Sequence, residues 1–363
     1  MNKKLLVVFS SSPDSVRLFK ETSFFKSKGF RLSYIGWCRN AKVFTPDARF
    51  ETITTIMNGG GSSLKLLPWK YICYIIRLIF HLFHRKNLRD YTIFAVNFES
   101  AFAVWIVSHF RSVNYIYDIW DEFAISHSFP RFLVYIIRQI DKKIREKASF
   151  YIHVDENRIS EIDCDKHIII YNSPLDFFEG KVIEREYKNV FAVTGWLNET
   201  RGLQSIYEFA KSNPGIKFVV AGGFRQEEFR KKFLSLENVE YHSFMPQGQL
   251  FELIYDCRGI FSLYDTRIPI NRLAASNKLY DAMMLGVPVI INKELEVADF
   301  VEKNNLGYIV DYEFNNSWQQ LFQTDQYTLK RYGDSGRKLY LERYEFSAMM
   351  EKVFMPAYEK YIS

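Results

Sequence analysis

The chain has 363 residues, 48% hydrophobic and 25% charged, with a formal net charge of +6 at pH 7. That composition excludes a disordered or collagen-like chain and leaves room for two or three domains of roughly 100–200 residues. The mild positive excess does not call for nucleic acid, and no RNA-binding signature or Cys/His zinc spacing is present; it suits an anionic membrane surface or a phosphate-bearing substrate.

The run MNKKLLVVFSSS opens the chain. Its apolar part, 5–9, is shorter than the roughly 7–15 residues of a signal-peptide core, so it reads as a first buried strand. A helical pattern follows over 16–28, ends at Gly29, and gives way to a strand at 31–37. Strand, helix, strand at this spacing is a βαβ unit, the seed of a parallel sheet. Gly59–Gly61 with Ser62 and Ser63 form a flexible loop. The apolar segment 68–86 approaches the roughly 18–20 residues needed to span a bilayer, but Arg77 sits in its middle. Two readings stay open: a helix on a membrane surface, with Trp69 and Tyr71 as interfacial residues, or an ordinary buried helix.

Strands follow at 91–97 and 113–119 with a helix between, then a helix at 130–147 that turns basic toward its end, as the macrodipole favours. Short strands at 151–154 and 167–171 precede the break Asn172-Ser173-Pro174. The rhythm then restarts with strands at 189–194, 216–221, 239–241, 259–263 and 289–292, and helices at 202–211, 249–255 and 277–285. Two doubly wound domains are expected, 1–172 and 173–345, with a final apolar helix at 346–363 packing back on the first. Cys38, Cys73, Cys164 and Cys257 form no C-x-x-C pair, which predicts buried, reduced thiols in a cytosolic protein.

Ligands of open α/β sheets bind outside the carboxyl ends of the strands. Three stretches there carry chemistry. In the stretch 275–290, Lys278 and Asp281 share a helix face near its start. Helix N-termini favour anions, a lysine adds a point charge for phosphate, and an aspartate one turn on can accept from both ribose hydroxyls; a plain surface ion pair is the other reading. In the stretch 193–203, Gly195 lets the backbone approach a phosphate and Arg201 can fork onto diphosphate oxygens, or the loop is an ordinary one with a solvated arginine. Asp118, Asp121 and Glu122 end a strand, with His127 close behind. They can hold sugar hydroxyls or orient an acceptor hydroxyl, or serve simply as acids at a helix N-terminus.

Ser276-Asn277-Lys278-Leu279-Tyr280-Asp281-Ala282-Met283 with Gly286-Val287-Pro288-Val289-Ile290 resembles the donor-binding motif of the GT-B glycosyltransferases that include the retaining, family-4-type enzymes. Thr200–Leu203 through Gly222-Gly223, the acids 118–122, the junction at Asn172 and the last helix are similar to the same group. The resemblance implies two Rossmann-like domains facing each other across a cleft. It implies sugar transfer from a nucleotide diphosphate-sugar, UDP by default, to a glycan or lipid-linked acceptor, in bacterial surface polysaccharide assembly. Arg201 and Lys278 would neutralise the diphosphate, Gly195 would approach it, and Asn277, Leu279 and the ribose-binding Asp281 would complete the donor contacts. Phe224 and Phe244 would line the base pocket; Asp118, Asp121, Glu122, His127 and Asp265 are the catalytic candidates.

Two positions depart from the pattern. Leu273 stands where many relatives carry a glutamate, and Trp196 where they often have an arginine. Asp265, Arg267, Asn271 or Arg272 would supply the missing polar group. No obligatory metal and no cofactor are expected, since no Asp-x-Asp pair of the metal-dependent type is evident; localisation is expected to be cytoplasmic, with peripheral contact at the inner membrane face as an option. A GT-B-type sugar-nucleotide epimerase and a non-catalytic nucleotide-sugar-binding module are the competing readings. A dinucleotide oxidoreductase is weaker, because the first loop is Ser10-Ser11-Ser12-Pro13 rather than G-x-G-x-x-G.

Overall fold

The structure, a computed structural model, describes residues 3–39, 44–60, 67–126, 129–156, 165–181, 183–273 and 276–362. The chain divides into two compact units, Met1–Tyr171 with Ser347–Ser363, and Asn172–Phe346.

The first unit runs β1 (Lys4–Phe9), α1 (Val16–Ser27), β2 (Arg31–Cys38), β3 (Phe50–Asn58), α2 (Leu67–His84), β4 (Thr92–Val96), α3 (Asn97–Val107), β5 (Asn114–Ile119), α4 (Phe123–Ser126), α5 (Arg131–Lys147), β6 (Phe150–His153) and β7 (His167–Ile169). Its strands form one sheet in the order β3-β2-β1-β4-β5-β6-β7. Every pairing is parallel, with Val7 beside both Tyr34 and Phe94. Strands buried on both faces need unbroken apolar runs, which is why Leu5–Val8 and Ile93–Val96 read that way. β3 went unassigned in the sequence: its Thr-rich, half-exposed run is an edge strand, where the hydrophobic signal is weakest.

Leu6, Val8, Trp37 and Tyr117 pack against Tyr74, Leu78 and Leu82 of α2, Val104 of α3 and Ile144 of α5. Phe25 of α1 meets Phe94 at 5.4 Å and Phe354 at 4.9 Å between ring centroids. The predicted final helix is interrupted. α14 (Phe346–Met349) and α15 (Met355–Ile362) flank a widened π-type turn, Met350–Phe354, whose Phe354 is buried among Phe25, Phe94 and Phe150.

The second unit runs β8 (Lys188–Leu197), α6 (Leu203–Ser212), β9 (Lys217–Phe224), α7 (Glu227–Leu234), β10 (Val239–His242), α8 (Gln247–Ile254), β11 (Cys257–Phe261), α9 (Pro269–Arg272), α10 (Asn277–Leu285), β12 (Val289–Asn292), α11 (Ala298–Lys303), β13 (Gly307–Val310), α12 (Gln320–Gln323) and α13 (Gln326–Leu339). The strand order is β10-β9-β8-β11-β12-β13, again parallel throughout. An aromatic core of Phe191, Phe209, Phe218, Phe261 and Trp318 lies under it, Phe209 and Trp318 being 5.3 Å apart.

Cys38 and Cys257 are buried and free. Cys73 corrects the expectation of buried thiols: it is free but exposed, because it lies on the outer side of α2. Cys164 lies outside the described residues.

Candidate functional site

In each unit the strand order reverses once, between β1 and β4 and between β8 and β11. Loops leaving two such neighbours diverge, and a crevice opens at their carboxyl ends.

At the second unit's crevice, β8 ends and the chain makes a single turn, Glu199–Arg201, before Gly202 at φ +71° starts α6. A side chain at Gly202 would be strained there and would press on Leu263, whose Cδ1 lies 2.7 Å from an added Cβ. Gly222, at φ +144°, abuts the Gly195 carbonyl so closely that any Cβ would collide with it. The loop after β11 is tied to the loop after β8 by the Asp265 amide, which donates to the Thr200 carbonyl at 3.0 Å.

Two cations meet on this frame. The Arg201 guanidinium lies 3.8 Å over the Tyr264 ring, and its Nη1 is buried without a hydrogen bond. Lys278 is half-buried in the first turn of α10, where the Ser276 hydroxyl accepts from its backbone N–H at 3.2 Å. Its Cε would lie 3.8 Å from a Cβ at Gly195. Burial first, and then Arg201, hold the lysine below its ordinary pKa, although Tyr264 and Asp281 pull the other way. Among the described residues neither cation is in an ion pair, Asp281 being the carboxylate that acts on Lys278, so this crevice gathers two cations beside a helix N-terminus. An unpaired buried donor is costly, and a bound anion would satisfy it.

The other donor-side candidates are placed as follows. Asp281 lies one turn after Lys278 on α10. Asn277 is exposed and its Oδ1 accepts from Asn172 at 3.2 Å. Leu279 is buried in the core, so its side chain is closed to a ligand. Phe224 is half-buried and packs inward on Phe233 and Tyr241, at 5.7 and 5.5 Å. Phe244 is 57% exposed and meets the equally exposed Trp196 at 4.9 Å and 69°, with Arg225 over the indole at 5.4 Å. The open aromatic pair at this edge is therefore Trp196 with Phe244, not Phe224 with Phe244. Asp265 is buried and held by Arg267 in two bonds of 2.8 Å, which lowers its pKa.

The first unit's crevice is filled differently. Asp118 is fully buried. It pairs with Arg17 of α1 at 3.2 Å and accepts from the Trp120 indole, while Arg17 also holds Glu21 at 2.8 Å and donates to the Ile170 carbonyl at 2.9 Å. This corrects the expectation that Asp118 faces a sugar: Arg17, 101 residues earlier, closes the carboxylate off. Asp121 is exposed and Glu122 half-buried, bordering a small recess shared with His153 and Asp155. His127 lies outside the described residues.

Sequence reasoning missed three residues here. Glu99, just after β4, accepts a hydrogen bond from the Ser10 hydroxyl at the end of β1. Arg39, after β2, donates to the Ser10 carbonyl at 2.8 Å and to the Tyr71 hydroxyl at 3.0 Å. An acid two residues past a buried strand, inside the apolar run VNFESAFAV, was the available signal for Glu99. Asn97 opens α3 at φ +63°, and its side chain accepts from the Trp120 amide at 3.1 Å.

No protein-family model and no curated protein matches the chain. Solved structures do. A sucrose-phosphate synthase from Thermosynechococcus elongatus superposes with TM-score 0.70 over 98% of both chains at 12% identity. Anabaena HepE, solved in complex with UDP, does so at 0.67, with 12% identity, over 98% of this chain and 100% of its own. A putative UDP-N-acetylglucosamine 2-epimerase from Listeria monocytogenes gives 0.56 at 11% identity, over 98% and 96%. The fold is GT-B.

Proposed function

We propose that the protein is a glycosyltransferase that moves a sugar from a nucleoside-diphosphate sugar, with UDP as the first candidate, to a glycan or lipid-linked acceptor. The observation that carries this is the Arg201 and Lys278 pair, half-buried and in no ion pair among the described residues, at the topological switch point of the second unit. A diphosphate leaving group gathers negative charge as the glycosidic bond breaks. Cations already desolvated and fixed by Tyr264, Gly195 and the α10 N-terminus stabilise that charge without reorganising. The reading assigns this role to side chains rather than to a metal. Asp281 takes the ribose hydroxyls and the Trp196–Phe244 pair takes the base. The first unit takes the acceptor, with Asp121, Glu122 and His127 as candidates for its hydroxyl. HepE, bound to UDP and to UDP-glucose in its solved structures, and WaaG, from lipopolysaccharide biosynthesis, support the donor class and a surface-polysaccharide role. Cytoplasmic localisation belongs to the same reading.

A second reading is a sugar-nucleotide epimerase. The likeness to the Listeria protein favours it; Leu273, in place of a carboxylate, favours instead a non-catalytic nucleotide-sugar-binding module. Thermal unfolding in the presence of UDP, GDP, dTDP, ADP and CMP tests the donor site. A nucleotide at 100 times its dissociation constant adds about 2.7 kcal/mol. One nucleoside diphosphate is expected to stabilise the wild type and neither Lys278→Ala nor Asp281→Ala. Stabilisation by none of them sinks the donor assignment. Turnover of the matching nucleotide-sugar without an acceptor, yielding an epimer, selects the second reading.

A further inference from the structure

α2 carries two apolar faces, separated on one flank by Lys70, Arg77, His81 and His84, and it stands at the surface of the first unit. Tyr74, Leu78 and Leu82 are fully buried against the sheet and α3. On the opposite side Trp69, Ile72, Ile76, Phe80 and Phe83 are exposed, Trp69 by 68% and Phe80 by 65%. At 100° per residue these five fall within one narrow stripe, which runs for about 21 Å along the helix. Phe110, 71% exposed at the end of α3, extends it beside Phe83 at 6.1 Å. An exposed apolar stripe flanked by cations is the pattern of a helix that lies at a lipid–water interface. One side of α2 has its core; the other has none among the described residues.

The charge along this segment is mostly positive, with Asp90 the first acid after it. Residues 67–89 carry Lys70, Arg77, Arg85, Lys86 and Arg89 and no acid. Arg111, next to Phe110, donates to the Leu82, Phe83 and Arg85 carbonyls at 2.9–3.0 Å, adding a sixth cation at the end of α2. The chain has no helix, among the described residues, long and apolar enough to cross a membrane. Tyr71 is not part of the stripe: it turns inward, 5.7 Å from Trp37 and bonded to Arg39.

We propose that this face docks the protein on an anionic phospholipid bilayer, α2 lying in the interface plane with its stripe among the acyl chains and its cations at the phosphates. Charge complementarity selects this occupant over a second copy. A two-fold contact sets the same patch against itself and would bring both sets of cations together. The inference is independent of the donor reading, because docking needs neither Arg201 nor Lys278.

The test is sedimentation of the full chain with vesicles of phosphatidylcholine alone, or with about one third phosphatidylglycerol. Wild type is expected to bind the anionic vesicles about tenfold or more tightly than the neutral ones. Phe80→Ser with Phe83→Ser should lower that affinity by about tenfold or more, and Arg85→Gln with Lys86→Gln should lower it and flatten its salt dependence. Phe80 and Phe83 are exposed, so their variant should keep the wild-type melting temperature, while Arg85, half-buried over the Tyr91 ring at 5.1 Å, should cost a little stability; the nucleotide-induced shift should stay at its wild-type value in both, separating this face from the donor site. Absence of wild-type vesicle binding, or equal binding by the Phe80/Phe83 variant, overturns the proposal. So does wild-type self-association in sedimentation velocity that the same variant abolishes while no vesicle binding is seen.

Discussion

The two units wind their central strands in the same order, yet treat charge at the switch point in opposite ways. In the first, the described arginines at the crevice are partnered: Arg17 holds Asp118 and Glu21, and Arg39 donates to Ser10 and Tyr71. In the second, Arg201 and Lys278 are desolvated beside an aromatic ring and a glycine turn with no carboxylate paired to them. The partnered arginine of the first contributes to stability, whereas under the proposed function the cations of the second are kept for an anion. The fold is common to both, and the side chains set the chemistry.

The largest effect that tests this contrast is at Arg17. Arg17→Met should cost about 3–5 kcal/mol in urea unfolding, because it leaves Asp118 buried without its partner. Adding Asp118→Asn should recover much of that loss. Arg201→Met should do the reverse: unliganded stability unchanged or higher, with the nucleotide's stabilisation of about 2.7 kcal/mol at 100 times Kd lost. If Arg201→Met destabilises the unliganded protein as much as Arg17→Met does, the contrast fails. Gly202→Ala should cost about 1–2 kcal/mol, from its positive φ and the approach of Leu263, and should weaken nucleotide binding by shifting Arg201.

The remaining effect concerns pH and is read as a slope. Burial, and then His167 2.9 Å away, hold His153 at a pKa of about 3. The unfolded chain therefore binds a proton near pH 6.5 that the folded chain refuses. Stability from this group is present above pH 6.5 and falls as the pH drops toward 3, by about 1.4 kcal/mol per pH unit. His153→Gln should flatten the acid limb of the stability curve by that amount. An unchanged slope would show that His153 is already protonated in the folded state.

The contrast also shows where sequence reading succeeds. Period-2 and period-3.6 patterns placed most strands and helices within a residue or two, since they report local burial. The loops after β8 and β11, and Lys278 behind its Ser276 cap, were legible for the same reason: glycines and caps act on their immediate neighbours. The Leu279 side chain needed no tertiary information either, lying on the apolar face of its own helix.

What lies far along the chain was not legible. The sequence places three acids after β5, but only the packing of α1 against the sheet brings Arg17 onto Asp118 and takes that carboxylate from the site. Phe224 and Phe244 look equivalent as aromatics after strands; the α7 and β10 neighbours bury one, and Trp196 meets the other in the open. The apolar segment 68–86 allowed a core helix or a membrane-surface helix, and the fold buries one side of α2 and exposes the other. Patterning along the chain determined the two α/β units and the positions of their ligand-facing loops, because backbone conformation and burial periodicity are set by near neighbours. Which charges are cancelled, and which stay open for a ligand, was decided by contacts between residues a hundred positions apart, which only the tertiary structure brings together.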